Sequence, residues 1–473
     1  MTDLQNKLQS NGEAEALALF HKAAQEVPAY KDFLKKNGIN HESIDSFQDF
    51  QKVPVTDKKN YIDAYSLKEL VWAGEIAKNT VINTSSGTTG EPYFWPCSAE
   101  EYQLGAEIHE MIYRDSFQIG KYNTLLVICF GMGTWIAGSF TFLCSYLVAE
   151  KGYKMTVMTP GFNKEESLKI LNQIGPQYDQ VIVAGIPTFV KDLIDTWETQ
   201  PEGKSQIEKI KFLFAAEGFT ESWREYILSK VGSKNFESDA ISILGSADTA
   251  MMGFETVESI KIRRLLSSNT VVRREFFKDE RLPSLLSYIP AYRFFETVQN
   301  ELVITADRSI PLIRYNLHDE GGVISSQEMQ SELKKAGFVD QSIDNKLPFV
   351  YLFGRGKFTA TIYAANIYPE NIKEVLIDPS IHTYITGKFS TETKYSSTQD
   401  HYLQINVELK PGVKDSEGVD KKITDIFYAK VRKLNTEYDR VCQEYGERAK
   451  PVVVLFPNGD PKMFPKDVFK KNS

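Results

Sequence analysis

The stretch Thr84-Ser85-Ser86-Gly87-Thr88-Thr89-Gly90-Glu91-Pro92 carries the residue types that wrap an anion. Its hydroxyls and backbone N–H groups can donate to phosphate oxygens, and its two glycines let the backbone approach closely and take positive φ. Pro92 stops any regular element from running on. A plain polar turn has the same composition, so the reading depends on what accompanies the loop. The common Gly-x-x-x-x-Gly-Lys-Ser/Thr spacing is absent, because Glu91 and not lysine follows Gly90.

Further along, chemistry-bearing residues follow short apolar runs. Ala215-Ala216-Glu217-Gly218 has the make-up of a strand-to-helix turn, and Leu244-Gly245-Ser246-Ala247-Asp248-Thr249 also ends an apolar run. Aspartate is a hard oxygen ligand suited to Mg2+, although an Asp after a strand also serves as a helix cap. Pro311-Leu312-Ile313-Arg314-Tyr315-Asn316-Leu317-His318-Asp319, then Phe353-Gly354-Arg355-Gly356-Lys357, bring further charged groups. The chain ends with Pro461-Lys462-Met463-Phe464-Pro465-Lys466, where Lys470 and Lys471 also permit a solvated basic tail.

In this order the motifs resemble those of the acyl-adenylate-forming superfamily, which includes acyl-CoA synthetases and adenylation domains. The loop is similar to that family's Thr-Ser-Gly-Thr-Thr-Gly-x-Pro. Residues 244–248 resemble Tyr-Gly-x-x-Glu, with Leu244 in place of tyrosine and Asp248 in place of glutamate. Residues 311–319 resemble Pro-x-Ile-Arg-Tyr-Arg-Thr-Gly-Asp of the phenylacetate-CoA ligase branch, with His318 where glycine is usual. Residues 353–372 resemble the hinge pattern, with Ala364 for glycine, and Pro461 to Lys466 the terminal Pro-Arg-x-x-Gly-Lys, with Lys462 for arginine and Pro465 for glycine. The resemblance runs from about residue 45 to the end.

That resemblance implies a role for each position. Ser85, Ser86, Gly87, Thr88, Thr89 and Gly90 would hold the ATP phosphates, Thr88 also counting among the catalytic residues. Ala216, Glu217 and Gly218 would lie against adenine, Gly245 and Ser246 would line the nucleotide, and Asp248 would hold Mg2+ and take part in catalysis. Asp319 and Arg355 would fix the ribose, Lys357 would be the hinge, and Lys466 would be the catalytic lysine. The implied activity is MgATP-dependent conversion of a carboxylic acid, an aromatic one by analogy, to acyl-AMP and transfer to coenzyme A. An amine or a carrier protein as acceptor, or a non-catalytic nucleotide or acyl-AMP binder, stays open, the last because of Leu244, Ala364 and Pro465.

Composition agrees with such a protein. With 42% apolar and 25% charged residues over 473 positions the chain reads as globular and too long for one core. A net charge of −8 argues against nucleic acid and anionic membrane surfaces. Cys97, Cys129, Cys144 and Cys442 form no C-x-x-C pair, and the first residues show no leader, which together suggest a cytoplasmic protein. The six histidines have no metal-ligand spacing. Oligomeric state, including a homodimer, is left open.

The elements that must position these residues are strands at 125–130, 155–158, 181–184, 212–215 and 241–244, alternating with helices at 165–174, 188–196 and 220–231. This pattern predicts an α/β fold, with a large N-terminal domain of mainly parallel sheet flanked by helices and a small mobile α+β C-terminal domain. The expected boundaries are 1–353, with a helical lead-in over 1–75, a hinge at 354–357, and 358–473. Residues 125–148 carry no charge over a membrane-spanning length, but Gly131, Gly133 and Gly138 mark them as strand, turn and buried helix. Trp95, Phe130, Trp135, Met251, Met252 and Phe254 could line an acyl pocket or simply fill the core. His401 to Leu409 alternates as a half-exposed strand, with Gln404, Asn406 and Glu408 on its polar face, and one helix is expected to carry Ile423, Phe427, Val431, Leu434 and Tyr438.

Overall fold

The computed structural model describes residues 3–85, 93–200, 209–279, 281–338, 346–355, 360–363, 365–381, 383–413 and 417–464, without the side chains of residues 354, 355, 369 and 370. These residues form two compact units, a large one from 3–85 and 94–354 and a small one from 355 onward.

The strands of the large unit are β1 (Val81–Ser85), β2 (Tyr93–Cys97), β3 (Thr124–Cys129), β4 (Met155–Met158), β5 (Gln180–Gly185), β6 (Ile210–Phe214), β7 (Ala240–Ser246), β8 (Ala250–Phe254), β9 (Ser284–Ser287), β10 (Phe294–Val298), β11 (Glu301–Ala306), β12 (Leu312–Ile324) and β13 (Phe349–Arg355). Eleven of them share one sheet in the order β10-β11-β12-β13-β9-β8-β7-β6-β5-β3-β4. From β4 to β7 the pairing is parallel, and helices Lys164–Gln173, Pro187–Glu198 and Glu221–Lys230 make the crossovers. Every residue of β3 and β5 is buried, which explains why the sequence reads there as continuous apolar runs and not as alternation. The parallel half is the one the alternation predicts. Beyond β7 the sheet becomes antiparallel, with β8 returning beside β7 and β9, β11 between β10 and β12, and β13 on β9.

The uncharged stretch folds as expected: β3, a loop at 130–135, then helix Ile136–Glu150. No described helix is long and apolar enough to cross a membrane. Gly138 lets that helix sit directly on the loop before it, since a Cβ there would overlap the Gly131 carbonyl oxygen. In an open helix Gly→Ala stabilises by about 1 kcal/mol. Here Gly138→Ala should destabilise the protein by about 2 kcal/mol, and urea unfolding gives the sign.

Helix Ala99–Phe117 packs against Ile136–Glu150 and buries His109, 1% exposed, between Tyr113 and Phe140. Its Nδ1 lies 2.8 Å from the Gly105 carbonyl oxygen. Burial lowers the His109 pKa to about 4, so the folded chain keeps the ring neutral where the unfolded chain, near pKa 6.5, takes up a proton. Stability is therefore lost as pH falls from the unfolded value toward the folded one. Between pH 7 and 5 the wild type should lose about 2 kcal/mol more than His109→Gln, measured by urea unfolding at both pH values.

The small unit carries β14 (Ala360–Ile362) paired with β15 (Ala365–Ile367), and a second sheet of β16 (Ile385–Tyr395), β17 (His401–Leu409) and β18 (Val452–Phe456) in that order. Ile423, Phe427 and Val431 bury one face of helix Val419–Leu434 on this sheet. Two expectations need correction. The helix does not run on to Tyr438, because Asn435 breaks it and caps a second helix, Thr436–Tyr445, by accepting from the Tyr438 N–H at 3.0 Å. The polar face of β17 is mostly covered, and of Gln404, Asn406 and Glu408 only Gln404 is half-exposed. Asn406 and Glu408 are buried, Asn406 donating to Ser390 and Glu392, and Glu408 accepting from Thr386 Oγ1 and the Gly459 N–H.

Candidate functional site

In the parallel half Cys129, Gly185 and Phe214 stand level across β3, β5 and β6, and β7 continues the sheet beside β6. The segments leaving these carboxyl ends therefore line one edge, where open sheets of this kind hold their ligands. They are the loop 130–135, the start of helix Pro187–Glu198, the turn 215–218 and the tip of the β7–β8 hairpin.

Strand β1 reaches the same edge. The Thr84 N–H donates to the Thr134 carbonyl oxygen at 2.9 Å, and the Thr84 and Thr134 hydroxyls lie 2.9 Å apart. Ser85 follows, accepting from Trp95 Nε1 at 2.9 Å. Ser86, Gly87, Thr88, Thr89 and Gly90 lie outside the described residues.

The turn after β6 exposes Ala216 and Gly218 and buries Glu217. The Glu217 carboxylate accepts from the Thr188 N–H at 3.1 Å and the Thr188 hydroxyl at 2.9 Å, so it puts negative charge at the positive end of the dipole of the preceding helix, Pro187–Glu198. Its side chain is spent on the fold, and the exposed backbone of Ala216 and Gly218 is what this turn offers a ligand. Ala216 sits at φ 72°, the left-handed region that costs a residue with a Cβ.

Asp248 does not cap a helix; it lies at the tip of the hairpin joining β7 and β8 and is 6% exposed. Gly245 is needed just before it, since a Cβ there would come within 2.8 Å of the Ala250 carbonyl oxygen. The Ser246 hydroxyl donates to Asp248, the Tyr315 hydroxyl donates to Asp248 Oδ2 at 3.1 Å, and the Lys58 ammonium stands 3.7 Å from that same oxygen. Tyr315 and Lys58 are the residues that motif reading left without a role. Tyr315 lay inside the quoted run 311–319, and Lys58 directly follows Asp57 in the lead-in.

The lead-in brings Lys58 to this place. Thr56 pairs with β12, its N–H donating to the Arg314 carbonyl oxygen and its own carbonyl accepting from the Asn316 N–H. Asp57 caps the short helical turn Lys58–Ile62. Asp319, half-buried, stands on β12 four residues beyond Tyr315. His318 takes φ 56°, which explains why a glycine suits that position, and its ring nitrogens lie 3.3 Å from Asp57 and from Glu301. Arg355 ends β13, while its side chain, Lys357, Ala364 and Lys466 lie outside the described residues. Trp95, Phe130, Met251, Met252 and Phe254 are all buried.

No protein-family model matches the chain. It is 20% identical over 397 residues to the phenylacetate-coenzyme A ligase of Pseudomonas putida, covering 82% of this chain and 79% of that protein. A solved 2-hydroxyisobutyryl-CoA ligase, in complex with 2-HIB-AMP and CoA in the thioesterification state, superposes over 97% of this chain and 87% of that one with a TM-score of 0.62 at 15% identity. The chain is similar to that phenylacetate-coenzyme A ligase and shares the fold of the 2-hydroxyisobutyryl-CoA ligase. The open conformation of the same 2-hydroxyisobutyryl-CoA ligase matches with a TM-score of 0.53 over 98% of this chain and 90% of that one, also at 15% identity.

Arg314 belongs to the run 311–319, yet it works for the fold. Its guanidinium meets Glu296 at 3.1 Å and donates to the carbonyl oxygens of Gln51 and Val53, binding the lead-in to the sheet. Both members of the ion pair are buried. Arg314→Met should destabilise by about 3–5 kcal/mol by leaving Glu296 unpaired, and Arg314→Met/Glu296→Gln should recover much of that in urea unfolding.

Proposed function

We propose that the chain is an ATP-dependent, AMP-forming carboxylate ligase that activates a carboxylic acid as acyl-AMP and passes the acyl group to coenzyme A. The observation that carries this reading is the meeting of Asp248, Tyr315 and Lys58 on the sheet edge where β1 delivers Ser85. The named relatives, a phenylacetate-coenzyme A ligase and a 2-hydroxyisobutyryl-CoA ligase, make the same class of product.

In the reaction the substrate carboxylate attacks the α-phosphorus of ATP in line, forming the acyl–phosphate bond and releasing pyrophosphate. Both reactants are anions, so catalysis is mainly positioning and neutralisation of charge. The loop 84–90 donates hydroxyls and N–H groups to the β- and γ-phosphates, the backbone of Ala216 and Gly218 faces the base, and Gly245 and Ser246 flank the nucleotide. Asp319 accepts from the ribose hydroxyls, assisted by Arg355. Lys466 brings its ammonium to the reacting oxygens when the small domain turns about Lys357.

Among the described residues no cluster of three or more His, Cys, Asp or Glu could hold a metal by itself. That fits Mg2+, which takes one or two carboxylates together with nucleotide phosphates. Asp248 is the carboxylate that would hold it, and the bound ion would offset the phosphate charge. The thiol of coenzyme A then attacks the acyl carbonyl and AMP leaves. An aromatic acid is the first substrate to try.

The test is pyrophosphate release across a panel of acids, with mass spectrometry of the adenylate. At least one acid should give stoichiometric acyl-AMP and, with coenzyme A, a thioester. Lys466→Ala should slow adenylate formation by roughly 10²–10³, the scale for losing one electrostatic stabiliser, while ATP binding is nearly retained. Wild-type adenylation in that variant would remove Lys466 from the chemistry.

A further inference from the structure

The turn 215–219 is held from both sides. Glu217 fastens it to the first turn of helix Pro187–Glu198, as described above. At its far end Arg263, from helix Val257–Ser268, donates through Nη2 to the Phe219 carbonyl oxygen at 2.6 Å and through Nε to the Pro283 carbonyl oxygen at 2.9 Å. Its remaining nitrogen pairs with Glu221 in the first turn of helix Glu221–Lys230.

Glu221 is shared with Arg224, at 2.9 Å, and Arg224 also meets Glu255 at 2.6 Å. All four side chains are buried, and their formal charges cancel. Hydrophobic packing alone could fill this space; a guanidinium fork fixes carbonyl directions as well. What needs fixing is visible in the turn, where Ala216 adopts φ 72° while exposed. A residue with a Cβ persists there when its surroundings over-determine the backbone.

We propose that Arg263 is a positioning residue for the nucleotide, holding the turn Ala215–Phe219 in its left-handed shape so that its exposed backbone is ready for the base. This rests on the reading of that turn given under the proposed function. Arg263 itself touches no reacting atom. Losing its three-way contact lets the turn relax, and apparent affinity falls by the fraction of chains that keep the competent shape.

The experiment uses the full chain and MgATP. Arg263→Met/Glu221→Gln removes one charge of each sign and leaves Arg224 paired with Glu255. Arg263→Lys keeps the charge without the fork and serves as the milder variant. ATP dissociation constants are read by calorimetry, and KM for ATP, KM for the acid and kcat are read separately.

The double variant should weaken ATP binding and raise KM for ATP by about tenfold, with kcat at saturating ATP and KM for the acid changed less than about twofold; Arg263→Lys should fall between it and the wild type. Arg264→Met, which removes a contact with Glu225 at the surface, should leave all four constants unchanged. Unaltered ATP affinity in a folded Arg263 variant, with only a lowered melting temperature, overturns the positioning role alone. A folded wild type that binds no ATP overturns the proposed function, and this inference with it.

Discussion

A carboxylate that is almost out of water must be answered by donors and a cation, and Asp248 imposes that demand on the large unit. One near and two distant parts of the chain answer it. Ser246 comes from the same hairpin, Tyr315 from β12 and Lys58 from the lead-in. The full set of contacts is complete only when the β7–β8 hairpin, β12 and the N-terminal segment have all docked.

The same constraint accounts for the unusual length and shape of β12. Its thirteen residues present Arg314 to the lead-in carbonyls, Thr56 pairing to the backbone, and the Tyr315 hydroxyl to Asp248, before reaching Asp319. Two of those residues, Arg314 and His318, accept positive φ to do so. The strand thus trades local comfort for the placement of side chains on either side of a bend. An edge carrying a balanced carboxylate and ammonium suits a polyphosphate with its counterion better than an apolar ligand.

Much of this was legible in the residues themselves. The buried parallel strands announce themselves as apolar runs, and Gly131, Gly133 and Gly138 correctly turned a membrane-length stretch into strand, loop and helix. The antiparallel half was not legible in the same way, because alternation of strands and helices stops after β7 and pairing there is set by long-range register. Tyr315 and Lys58 escaped notice since a phenol and an ammonium carry no signal until a buried acid is placed beside them. Alternation in β17 identified its polar face but not its cover, and Asn406 and Glu408 proved to be buried within a polar network. The loop 86–90 and Lys466 were named from sequence and lie outside the described residues.

The central claim is that one sheet edge, organised around Asp248, receives the nucleotide. Amide hydrogen exchange with and without MgATP tests it most directly, because it reports every described segment at once. The account predicts protection concentrated in 84–85, 215–219, 244–249 and 314–319, with the helix pair at 12–36 unchanged. Protection confined to other segments, or none at saturating MgATP, would contradict it.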